Sequence, residues 1–292
     1  MLIIIFGMIF MIVIVCVFSQ TSQLLLQPLT TPEMFLAGMP HTTLSLFQHE
    51  FILIQPSSTV IVYALGVIMI LIGIYFVASK RGQRSRSLWG IGLILWGISA
   101  IVAGTSYQAF GYELKCKSRE YCLFTSNFEI VYMLLTAYCI NFLVAATAYT
   151  SVGKSGRKWF LRFAIIDSIG YSIYMLVGVI IPIKFLVSYE GFMAFIGINF
   201  VLMFVLNIRH YRKEKDLLNR NLFLIWLGFL VVNLGYFAFL FGGVGTRLYQ
   251  SFGIWFNEND VLHILLILWS GMVFFLLRTK LMDAVIKSKT DS

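Results

Sequence analysis

Asp260 and His263 stand three residues apart in Trp255-Phe256-Asn257-Glu258-Asn259-Asp260-Val261-Leu262-His263, just ahead of an apolar run that ends at Leu277. An Asp-x-x-His spacing can offer a carboxylate and an imidazole to one metal ion from a single helical turn, as Glu-x-x-His does in bundle metal sites. His263 and Ser270 are seven apart, so at ~100° per residue they share a helix face, with Asp260 about 60° away. A second stripe, Glu129, Tyr132 and Thr136, has the same character, and Gln108 and Glu113 lie at a similar depth. Two such stripes at one depth suggest a single outward-opening pocket. Plainer roles stand beside these. Asn257, Asn259 or Asp260 can cap the final helix by accepting from its free N–H groups. Glu129 can sit among headgroups, and His263 can be one hydrogen-bonded polar residue of a bundle. A zinc site also usually takes more imidazole or thiolate than one His with carboxylates supplies.

A deeper layer holds Asn141, Asp167, Asn199 and Asn233. An intramembrane carboxylate is a functional candidate by default, here for an ion or a proton. The alternative is an interhelical hydrogen bond from Asp167 to one of the Asn amides, worth about 0.6–2 kcal/mol. His210, among Arg209, Arg212 and Lys213, reads as a solvated residue, while His41 and His49 belong to an outer segment.

The elements that must carry these residues are membrane helices. Of 292 residues, 59% are hydrophobic and 12% charged, and the mean hydropathy is +0.87. A soluble domain of that size could not hide so much apolar surface. Apolar runs at 57–79, 88–110, 125–150, 159–182, 191–208, 221–243 and 259–278 read as seven spans. Each is long enough at ~1.5 Å per residue to cross ~30 Å of hydrocarbon, and none alternates as a membrane barrel strand would. The fold class is therefore all-α, a polytopic bundle of seven transmembrane helices, with Met1 to Phe18 as a signal peptide or an eighth, anchoring helix. Lipid attachment at Cys16 is a third reading of that segment.

Orientation follows from the basic residues. Seventeen of the 22 Lys and Arg fall on one side, in the segments around 80–86, 154–162 and 209–220 and in the tail. The other side keeps Lys115, Lys117, Arg119, Lys184 and Arg247. The positive-inside rule then places the mature N-terminus outside and the C-terminus in the cytoplasm. The net charge of +9 is a topology signal. It is not a nucleic-acid surface, which would need basic and aromatic residues interleaved on a soluble face. The implied partner is membrane lipid, and the implied location a bacterial cytoplasmic membrane. Cys116 and Cys122 bracket a five-residue outer loop segment where a disulfide would persist, stabilising the loop by roughly 2–3 kcal/mol. A metal role for that pair lacks a second pair or a nearby His. Mid-span Cys139 reads as core packing. The chain divides into residues 1–19, an outer segment 20–56, the seven-helix domain 57–281 and a cytoplasmic tail 282–292. Within the outer segment, Phe47 to Ile54 is apolar enough for a short interfacial helix.

With this topology, the polar residues resemble those of the CREST superfamily, which contains alkaline ceramidases and progestin/adipoQ receptors. The closer likeness is to bacterial seven-helix proteins with a Gly-x-x-His-Gly-Phe-like end to the second span and Phe-Asn-His-Asn-Asp-x-x-His opening the last. The corresponding stretches here are Gly104-Thr105-Ser106-Tyr107-Gln108-Ala109-Phe110-Gly111 and Phe256-Asn257-Glu258-Asn259-Asp260-Val261-Leu262-His263. Gln55-Pro56-Ser57-Ser58-Thr59 suits the opening of the family's first span. Gln108 and Glu258 stand where the family has His, and an amide is a poor zinc ligand. The resemblance implies a divalent metal such as zinc, held by His263, Asp260 and Glu129, acidifying a water for hydrolysis of a lipid amide or ester. Gln108, Ser270 and Tyr132 would contact substrate or water. Two other functions stay open: a non-catalytic bundle that binds or senses a lipid or small amphiphile, and an ion- or proton-coupled transporter using Asp167.

Overall fold

A computed structural model describes residues 24–46 and 49–284. The leader or anchor expected over 1–19, Cys16 and most of the expected tail lie outside the described residues. In chain order the elements are α1 (Pro32–Ala37), β1 (His41–Leu46), β2 (His49–Ile54), α2 (Pro56–Ala78) and α3 (Arg84–Gly104), which runs on through a π turn at Thr105–Ala109. There follow α4 (Gly111–Lys115), α5 (Asn127–Ser151), α6 (Lys154–Ile180), a 3₁₀ turn (Lys184–Val187), α7 (Tyr189–Glu214), α8 (Leu217–Phe241), α9 (Val244–Phe252) and α10 (Glu258–Leu277). Among the described residues seven helices are long and apolar enough to cross a membrane: α2, α3, α5, α6, α7, α8 and α10. The protein is an all-α polytopic bundle. Span ends fall within a few residues of those expected, except that α7 continues to Glu214. Its polar last turns, from Arg209 on, emerge from the apolar stretch without breaking the helix.

The third span, α5, is the hub. In its apolar window 94% of residues are buried, against 28–50% in the other six spans. Its small residues, among them Ala137, Cys139, Ala145, Ala146 and Ala148, let neighbouring backbones close in from every side. The tightest crossing is between α2 and α3. Gly66 and Gly73 face Gly97 and Gly90, and a Cβ on any of the four would stand 2.5–2.8 Å from the opposing backbone carbonyl oxygen. Only glycine fits there. Lipid tails are as apolar as side chains, so this packing, rather than hydrophobic burial, is what holds such helices together.

The outer segment departs from expectation. Residues 49–54 form a strand, not an interfacial helix, paired antiparallel with 41–46 in the register Leu44↔Phe51 and Thr42↔Leu53. Pro40 and Pro56 bound the segment, and a helix that short is marginal alone. Its Thr, Ile and Phe residues suit a pleated ribbon better. The ribbon docks on the outer loop: Ile52 N donates to Glu113 Oε1 (2.9 Å) and Phe51 meets Phe110 edge-on, ring centroids 6.3 Å apart. Upstream, Leu26 N donates to Cys122 O (2.9 Å) and Phe124 N to Leu24 O (2.8 Å), lacing the described N-terminal stretch onto that loop. The Cys116–Cys122 disulfide closes the loop, and Cys139 is buried and free.

Candidate functional site

The Trp255–His263 stretch divides among three environments. Asn257 is the N-cap of α10, and its Oδ1 accepts from Asn259 N (2.9 Å) and Asp260 N (3.1 Å). Asp260 Oδ2 accepts in return from Asn257 N (2.9 Å), which completes a capping box. Of the two readings of Asp260, capping is the one realised. The same turn is pinned to the start of α2: Asn257 Nδ2 donates to Gln55 Oε1 (3.3 Å) and Trp255 Nε1 to Ser58 Oγ (3.2 Å). Gln55, Gln250, Asn257, Glu258 and Asn259 line a pocket of about 280 Å³ at this outer end.

One turn further, His263 lies on a different wall. It lines a cavity of about 100 Å³ between α2, α3, α5, α7, α8 and α10, together with Tyr132, Thr136, Ser99, Tyr189 and Asn233. This is space for a small polar group or a few waters. The stripes on α5 and α10 do therefore meet, through Tyr132 and Thr136 on one side and His263 on the other. His263 Nδ1 and Asn233 Oδ1 are buried with no hydrogen-bond partner. Buried polar atoms without partners are costly, so these two are the unmet demands of the chamber. Ser99 Oγ is occupied, bonding Tyr132 O (3.0 Å) and touching the Thr136 hydroxyl.

A larger, almost wholly apolar groove of about 390 Å³ runs between α7 and α8, and its walls include Gly197, Val201, Phe204 and Leu230. It shares Met193, Phe200, Phe229 and Asn233 with the central cavity. Val201 and Leu234 on its rim are 63% and 59% exposed, so the groove faces the lipid.

Glu129 belongs to neither space. Its Oε1 lies 2.9 Å from Lys115 Nζ and accepts from Ser106 Oγ (2.8 Å), whose hydroxyl also meets Ser126 Oγ (2.6 Å). Both charged side chains are buried, at 10% and 2% exposure. Lys115 Nζ also sits 5.0 Å above the Tyr107 ring, and Tyr107 meets Tyr132 edge-on at 5.7 Å. The ion pair is thus linked to the chamber wall through Tyr107 and Tyr132. Gln108, in the π turn, is buried with its Oε1 unpartnered; such turns within α-helices are frequent at functional sites.

The expected metal set is not assembled. Among the described residues no three His, Cys, Asp or Glu side chains come close enough together to hold an ion. Glu129 is neutralised by Lys115 and Asp260 is turned back on its own helix end, which leaves His263 alone. The donors therefore do not fit zinc. Ser270, expected on the same face as His263, hydrogen-bonds Ile267 O within its own helix (2.7 Å). Asp167 Oδ2 accepts from both Asn141 Nδ2 and Asn199 Nδ2, each at 2.9 Å, which ties α5, α6 and α7 together. Asn233 has left that layer for the chamber.

Lys115, Ser106, Ser126, Tyr107 and the α7–α8 groove escaped the sequence reading. One signal was present: Ser126-Asn127-Phe128-Glu129 has the Ser-x-x-Glu form of a capping box. A lysine in a short outer loop gives no comparable sign of burial. Comparison of the chain with protein-family models, curated proteins and solved structures finds no match in any of the three.

Proposed function

We propose that this integral membrane protein binds a single-chain amphiphile from the bilayer, its tail in the α7–α8 groove and its polar end in the chamber beside His263 and Asn233. The observation that carries the reading is the shared wall: Met193, Phe200, Phe229 and Asn233 border both spaces. A groove of about 390 Å³ has the size of small-molecule sites (~300–1,000 Å³), which are mostly apolar with a few polar groups that fix orientation. The unpartnered His263 Nδ1 and Asn233 Oδ1 are those groups, one a donor or an acceptor and the other an acceptor. The CREST-like resemblance, carried by the stretch that ends in His263, agrees with a lipid-like ligand. The metal-hydrolase version has less support, because Glu129 and Asp260 are engaged elsewhere. So does transport through Asp167, whose carboxylate two Asn amides already hold.

The test is photocrosslinking of a diazirine-tagged fatty acid to the purified protein in nanodiscs. Gly197 lines the groove, and a Cβ there meets nothing within 4 Å. The backbone there has room for a side chain, so Gly197→Phe is expected to fill the groove and abolish labelling. His263→Ala is expected to weaken it about tenfold, the loss of roughly 1.4 kcal/mol of hydrogen bonding to a buried group. Chelator is expected to change nothing. Full labelling of Gly197→Phe would overturn the proposal, and chelator-sensitive turnover of a lipid amide would restore the hydrolase.

A further inference from the structure

Another cavity lies at the opposite, basic end of the bundle. It measures about 530 Å³ and is lined by Lys80, Gln83 and Arg84 at its mouth and by Leu88, Leu161 and Ile165 along its wall. Tyr149 organises the cations. Arg84 Nη1 donates to its hydroxyl (3.2 Å), and the Arg157 guanidinium lies 4.6 Å over its ring. Arg157 Nη2 donates to Tyr149 O (3.4 Å), while its Nε is buried with no hydrogen-bond partner. Among the described residues no salt bridge joins Lys80, Arg84 or Arg157 to a carboxylate. Asp283, the acid beside them, accepts the backbone N–H groups of Arg84 (2.9 Å) and Ser85 (2.8 Å) with its two oxygens. Positive charge is thus gathered beside an apolar slot with, among the described residues, only the neutral Tyr149 as its side-chain partner. Trp159, 53% exposed and stacked on Phe163 at the start of α6, marks the interfacial depth at which headgroups sit.

We infer that this slot is a site for an anionic phospholipid of the cytoplasmic leaflet. Its phosphate lies against Lys80 and Arg84, with Arg157 on the Tyr149 ring adding positive charge nearby, and an acyl chain follows Leu88, Leu161 and Ile165. The cations supply the charge-assisted donors that a phosphate accepts, and guanidinium forks suit its geometry. The apolar wall separates a lipid from a free anion, since a soluble phosphate has no use for it. Basic pockets between membrane helices on this side are where acidic headgroups bind. The site is independent of the amphiphile chamber, which lies toward the other end of the bundle.

Native mass spectrometry of the full-length protein, titrated with phosphatidylglycerol and with phosphatidylcholine, tests this. One phosphatidylglycerol is expected to bind in preference to phosphatidylcholine. Lys80→Gln and Arg84→Gln are each expected to weaken it about fivefold, the effect of one basic residue near an anionic surface. Lys80 is exposed, so its variant leaves the fold intact if Arg84→Gln does not. Leu161→Trp, which fills the slot, is expected to lower affinity with all the cations in place. Lys213→Gln, in another basic loop, is expected to do nothing. Unchanged affinity in Lys80→Gln, an equal loss in Lys213→Gln, or displacement of the lipid by an equal concentration of inorganic phosphate would each overturn the inference. The last result would make the slot a free-anion site.

Discussion

The helices α5 and α10 begin alike and end up doing different things. Each has a polar N-cap, Ser126 or Asn257, and an acid three residues on, Glu129 or Asp260. In α10 the acid folds back onto the cap backbone and closes the box, so its charge stays within its own first turn. In α5 the cap holds Glu129 N by Ser126 Oγ (3.3 Å), but the carboxylate turns outward to Lys115 and Ser106. The difference is supplied by the partner. Lys115, on α4 and next to the Cys116–Cys122 loop, is brought over α5, and among the described residues no cation pairs with Asp260 on α10. One local pattern thus gives a self-contained helix cap in one case and a buried bridge between segments in the other.

That contrast can be broken most forcefully at the ion pair. Glu129→Ala strands a buried ammonium, and thermal unfolding in detergent should show a loss of about 3–5 kcal/mol. Replacing both partners, Glu129→Leu with Lys115→Met, should recover most of it, since an apolar pair of similar size is often no worse than a buried ion pair. A double variant no better than the single one would mean that the charges do more than stabilise. Reducing the loop to Cys116→Ser with Cys122→Ser should cost roughly 2–3 kcal/mol and loosen the platform that presents Lys115, read as the same melting shift. Asp260→Ala should cost only about 1 kcal/mol, the value of a helix cap. A loss as large as that of Glu129→Ala would show that the buried, unpartnered Asp260 Oδ1 has a tenant, and Asp260 would rejoin the site. The smallest effect belongs to the pair Lys117–Glu113 in the same outer loop, where the lysine side chain is 48% exposed. Lys117→Ala should change stability by less than about 1 kcal/mol, and less still at high salt.

The seven spans and the outer disulfide were legible because each rests on local arithmetic. A run of apolar residues long enough to cross the bilayer must be a helix, since hydrocarbon offers no other partner for its backbone. Cys116 and Cys122 are near enough in the chain that a short loop brings them together. The expected helix over Phe47–Ile54 failed in its described part, His49–Ile54, because amphipathic and apolar character does not say which backbone satisfies it. The pairing strand decided that. The chamber was half legible: depth along each span placed Tyr132, Thr136 and His263 at one level, but depth carries no information about azimuth. Asp260 and Glu129 shared that level and point elsewhere, one to its own helix end and one to Lys115.

By itself, then, the sequence determined the seven apolar spans among the described residues, the gathering of basic residues at one end of them and which residues lie at which height along them. These follow from hydropathy, helix rise and charge counted along one dimension. Only the tertiary structure decided which residues of equal depth face one another. It set His263 and Tyr132 around one cavity, gave that cavity a wall in common with the groove between α7 and α8, and turned Glu129 and Asp260 to other partners. The physical reason is that a helix fixes height and spacing within itself, while its rotation and its neighbours are set by packing, here by the α2–α3 glycine crossing and by the small-residue faces of α5.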